Sequence, residues 1–306
     1  MVVALALAAA AWGADRTAGR VQRRAAPPPG FDKAAAATFF DDAFSQLEGP
    51  RPSFTTPAPL PGAAPQPGGR SGADGFAWST LVSEETLTDE VKTRKADVAA
   101  AAAKPTDFKG GGYEKARLAF TSVALCFGVI AGYDRDMRWK KDAATARDLF
   151  GRAGFNCKVG TDQSYAESRK RLEDLESLLE GGSPQGTTDR EDDFRWSQVV
   201  GRPALMKRLE AGETTISAGV ASRGDFDRSL DRILHDAEIV AMIGHVIHQP
   251  TFEYHDDDTY RGYSATMRDA ALKLREACRT KNYDAARSAA GDLKKSCDSC
   301  HGDYRG

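Results

Sequence analysis

Cysteine and histidine are scarce in this chain: 306 residues contain five of each. That is too few, and too scattered, for a structural zinc site with four ligands at matched spacing. Neither sign of charge is in excess, with 42 Lys and Arg against 44 Asp and Glu. A chain so balanced, with no basic patch, does not read as a nucleic-acid binder. No apolar run has the length that a membrane span needs. A βαβ pattern is missing as well, which removes the usual setting of a thioredoxin-type dithiol. Nor is a proton-transfer constellation recognisable, so an enzyme such as a peroxidase is the least favoured class.

Against these absences stands one dense motif near the end, Cys297-Asp-Ser-Cys300-His301. C-x-x-C-H is the spacing of a c-type haem attachment site. Two thiols on adjacent helical turns can each add to one vinyl group of the same porphyrin, and the histidine that follows is held under the iron. Tyr283, Ala286, Ala290, Leu293, Cys297, Cys300 and Tyr304 recur at steps of three and four. They form one seam of a bundle helix with both cysteines on it. His301, four residues after Cys297, leaves from nearly the same face. The other cysteines, Cys126, Cys157 and Cys278, lie in apolar helical patterns and read as small buried hydrophobes.

Residues 1–14 are apolar, Ala-rich and signal-like, and export suits a covalent haem, which bacteria attach outside the cytoplasm. A periplasmic or otherwise exported location is expected. Residues 15–75 read as a Pro/Gly/Ala-rich spacer, with a short amphipathic helix around Phe39 to Leu47. Beyond it the chain repeats itself. Phe76-Ala-Trp78-Ser79 recurs as Phe194-Arg-Trp196-Ser197, a shift of 118 (194 − 76), and Asp107-Phe108 recurs as Asp225-Phe226. Thr145-Ala-Arg147-Asp148 and Cys157 recur as Thr266-Met-Arg268-Asp269 and Cys278, a shift of 121 (278 − 157). Tyr165 and Asp174-Leu175 match Tyr283 and Asp292-Leu293. Ordered matches at a near-constant offset point to duplication. Two units follow, 76–185 and 190–306, each reading as four antiparallel helices. In the second, the expected helices cover about 196–221, 225–249, 260–280 and 282 to the end, with Pro250 closing the second.

The second unit resembles the class II c-type cytochromes, cytochrome c′ and its low-spin monohaem relatives. Lys295-Ser-Cys297-Asp-Ser-Cys300-His301-Gly-Asp-Tyr304-Arg305 carries the resemblance, together with Arg202-x-x-x-Met206 in the first helix. The fold implied is all-α, two tandem up-down-up-down four-helix bundles, with one covalent haem c on the last helix. The resemblance makes His301 the proximal ligand, Met206 the ligand opposite, and Arg202 a neighbour of the haem propionates. It also implies redox partner proteins and, because the family commonly pairs as homodimers, an intramolecular pseudo-dimer of the two bundles. The first unit has lost the site: Leu179, Gly182 and Ser183 stand where Cys297, Cys300 and His301 would fall, and Glu84 and Thr88 where Arg202 and Met206 would.

Three states of the sixth position stay open. Met206 is the first. His245 and His248 near the end of the second helix are another, since Gly244 would let a flat ring approach there; a vacant site blocked by apolar side chains is the third. Pro203 places a helix start or kink between Arg202 and Met206. His255 with Asp256, Asp257 and Asp258 reads as a solvated acidic loop. The leading function is an exported single-electron carrier; the alternative is a five-coordinate haem protein that binds small gases.

Overall fold

The computed structural model describes residues 76–186 and 194–304. The signal-like segment 1–14 and the spacer 15–75 with its short helix lie outside the described residues. Among those described there are eight long helices and no strand. The first four are α1 (Glu84–Ala101), α2 (Tyr113–Ala131), α3 (Ala143–Asn156) and α4 (Asp162–Leu179). The second four are α5 (Arg202–Gly219), α6 (Arg223–Val246), α7 (Asp258–Arg279) and α8 (Tyr283–Tyr304). In each set consecutive helices pack together and the fourth returns to the first, which closes an up-down-up-down bundle. None of these helices is long and apolar enough to cross a membrane.

Local chemistry sets the helix starts. Ser83, Thr161, Ser222 and Asp257 each accept a hydrogen bond from a backbone N–H of the first turn that follows. The helix expected from about 196 begins instead at Arg202. Trp196–Gln198 makes a single 3₁₀ turn, and Pro203 sits in the first turn of α5, where its missing N–H costs no hydrogen bond. The second helix closes at Val246, before the expected 249, and the chain reaches Pro250 through a turn. Cys126, Cys157 and Cys278 are buried and unpaired.

The two halves use the same contacts at the same spacing. Phe76 meets Trp78 edge to face with centroids 5.1 Å apart, and Phe194 meets Trp196 at 5.0 Å. Phe108 lies 5.5 Å from Tyr165, and Phe226 lies 5.8 Å from Tyr283. The halves touch along α1 and α2 on one side and α5 and α6 on the other. The Trp78 and Trp196 rings approach to 5.7 Å there. Gly128 admits Trp196, because a Cβ at that position would fall 2.6 Å from the indole.

A candidate haem site at one end of the second bundle

The seam of α8 is buried from Tyr283 through Leu293, then becomes half-exposed at Cys297 and Cys300. The change marks a cavity of about 630 Å³, within the ordinary range of ligand pockets, about 300–1,000 Å³. Antiparallel packing brings the start of α5, the start of α7 and the end of α8 to this one end of the bundle. Arg202 and Met206 come from the first, Tyr260 and Ser264 from the second, Cys297, Cys300 and His301 from the third, and all line the cavity. Five residues singled out from sequence therefore share one wall system, although almost a hundred positions separate the two groups in the chain.

The connection from α6 to α7 also contributes to the cavity: Glu253 and Tyr254 are on the wall and Phe252 is buried, while Asp256 and Asp258 of the acidic stretch that follows stay exposed. Thr251 and Tyr254 hold φ of 80° and 64°, a left-handed conformation unusual for residues with a Cβ. That bend turns Tyr254 onto Tyr304, at 5.0 Å, and Tyr260, at 5.9 Å. The Arg202 guanidinium lies 5.3 Å from the Tyr254 ring centre and 5.1 Å from that of Tyr260, and it pairs with Glu253 at 3.2 Å. Sequence reasoning missed this aromatic collar. Its signal was countable, because four of the eight tyrosines (Tyr254, Tyr260, Tyr263 and Tyr304) gather here.

His245 and His248 are not on the cavity wall. His245 faces the first bundle, stacked on Phe76 at 3.8 Å and edge-on to Trp78 at 5.1 Å. Burial, with help from His248 and Arg268, pushes its pKa down to about 4. His248 turns to the carbonyl of Gly244, at 3.1 Å. Gly244 itself admits a neighbouring helix and no ring: a Cβ there would fall 3.2 Å from Arg268 Cβ and 3.3 Å from Met267 Cε.

A haem fits these residues on two grounds. Cys297, Cys300 and His301 stand together on the wall, which puts two sulfurs and an imidazole beside one another. The hydroxyls of Tyr260 and Ser264, 1% and 2% exposed, find no hydrogen-bond partner among the described residues. Buried polar groups are rarely left unpaired, and a bound group carrying acceptors would satisfy them. A family model, Cytochrome C′, matches residues 253–305, which span the later part of the α6–α7 connection, α7 and all of α8 with its Cys-x-x-Cys-His run. No curated protein and no solved structure matches the chain. The match supports a cytochrome c′-like relation and, with it, a haem-binding cytochrome.

Proposed function

We propose that this chain is an exported monohaem c-type cytochrome that carries single electrons. The observation that carries the reading is the convergence of Arg202, Met206, Cys297, Cys300 and His301 on one cavity. Iron porphyrin supplies a one-electron couple whose potential follows its axial ligands, hydrogen bonds and burial. The Cys297 and Cys300 thiols would tether the group, and His301 and the Met206 thioether would hold its iron. Arg202, set over two tyrosine rings, would offer its positive charge to the propionates. Redox partner proteins are the exchange partners this role requires. Matching ring pairs at a shift of 118 in both halves support a duplication, and the shared face of α1, α2, α5 and α6 supports an intramolecular pseudo-dimer.

The optical spectrum of the haem-loaded chain tests the ligand set. A low-spin spectrum is expected, and Met206→Ala should convert it to high spin. A wild type already high in spin would favour the second reading, a five-coordinate gas-binding protein. That reading draws on Leu209, Ile247 and Met267, which put buried apolar bulk on the same cavity wall. A colourless exported chain would end both readings.

A further inference from the structure

Two contacts between the halves join residues to their own counterparts. Trp78 meets Trp196, and Glu90 meets Arg208; each pair is separated by 118 residues, the offset of the repeat. In an arrangement with two-fold symmetry only residues on the axis meet their own copies, whereas elsewhere i meets j and j meets i. These two pairs therefore mark a pseudo-two-fold axis through the face of α1, α2, α5 and α6.

On that axis the copies have become unlike. Arg208 donates from Nε and Nη2 to the two carboxylate oxygens of Glu90, at 2.8 and 3.1 Å, and a second bond from Nη2 reaches Asp236 at 2.7 Å. His235 Nε2 donates to Glu90 at 2.9 Å. Glu90 is 1% exposed and Arg208 9%. Burial alone would push the Glu90 carboxyl up, but His235 and Arg208 outweigh it and hold it far below the usual range. A second cross-face contact exists on one side only. Glu238, fully buried, accepts from the backbone N–H and the hydroxyl of Ser83 at 2.8 and 2.7 Å, and from Arg279 at 2.9 Å. The counterparts of Glu238 and Ser83 at the same offset are Phe120 and Gly201, which can form neither bond.

We infer that this face is a self-recognition surface whose two sides have diverged into complementary charges, so that it accepts the other half of its own chain and rejects a second copy of either half. Pairing two haem bundles would oppose Arg208 to Arg208; pairing two first bundles would oppose Glu90 to Glu90. Both arrangements bury like charges face to face and remove the cross-face partner, leaving Arg208 only Asp236 and Glu90 only Arg94 from their own halves. The inference rests on the duplication proposed above and is independent of haem.

Thermal unfolding of the full chain tests it. Glu90→Gln and Arg208→Gln should each lower the melting temperature by roughly 10 °C. The double variant E90Q/R208Q should lose less than the sum of the two, and strict additivity would overturn the inference. In sedimentation the wild type should run as one chain per particle. A wild-type homodimer that disappears on changing Trp78 and Trp196 to Ala would overturn the rejection of a second copy. Retained haem colour alongside such failures would leave the cytochrome reading standing.

Discussion

Both halves of the molecule carry an aromatic residue at positive φ on the connection between their second and third helices, and the two residues do opposite things. In the first half Trp139, at φ 68°, is 6% exposed. Its indole N–H donates to the carbonyl of Leu178 near the end of α4 at 2.7 Å, Phe127 lies at 5.8 Å, and the Arg138 guanidinium sits 4.8 Å from the ring centre. In the second half Tyr254, at φ 64°, stays at the rim, 38% exposed, and a cavity opens behind it. One bundle end is plugged by the protein's own side chain; the other is left open and lined with hydroxyls, thiols and a thioether. The lesson is that an antiparallel four-helix frame does not by itself make a site. Site or plug is decided by a few residues where the helix ends meet.

The largest break in this comparison should come from removing the plug. Trp139→Ala takes a buried indole and its hydrogen bond from the first bundle, and the expected loss is about 3–5 kcal/mol in chemical denaturation. If the loss is below about 1 kcal/mol, Trp139 does not fill that end, and the contrast between plugged and open ends is wrong. Next is the acid sensitivity that His245 gives the face between the halves. Its pKa is about 4 in the folded chain, against 6.5 for an unperturbed histidine, so the unfolded chain binds the extra proton first. Stability should therefore fall as pH drops from 6.5 towards 4, by about 1–2 kcal/mol after screening at this half-buried site. His245→Phe should flatten that slope in melts taken across the window; an unchanged slope would locate the acid sensitivity elsewhere. The smallest effect concerns one of the two hydroxyls left unpaired at the cavity, that of Tyr260. In a haem-free chain (C297A/C300A), Tyr260→Phe should be neutral or stabilising by less than about 1 kcal/mol, because it deletes an unsatisfied buried group. In the haem-loaded chain the same change should destabilise. Equal effects in both chains would mean that Tyr260 does not serve the bound group.

Much of this architecture was legible before any coordinates. The α8 seam is a period that only a helix satisfies, and the residues assigned to it are buried as far as Leu293. Pro203 announced the true start of α5. The positions of His245 and Gly244 were not legible. Helical spacing gives the face a residue occupies relative to its own neighbours, and two different surfaces of α6 compete for it: one towards α7 and one towards the first bundle. Gly244 went to the first of these and His245 to the second, away from the cavity. The part played by Glu253 and Tyr254 was hidden for a related reason. Thr251 and Tyr254 adopt left-handed backbone that sequence gives no cause to expect, and that bend sets Glu253 and Tyr254 at the rim of the cavity.

By itself, then, the sequence determined the helical class, the thiol pair with its adjacent histidine, and the offset that relates the two halves, because each is a local or periodic property of the chain. Tertiary structure alone decided which bundle end stays hollow, which face His245 serves, and that Glu90 and Arg208 meet. Those outcomes depend on which surfaces exclude water from one another, and no spacing along a single helix encodes that.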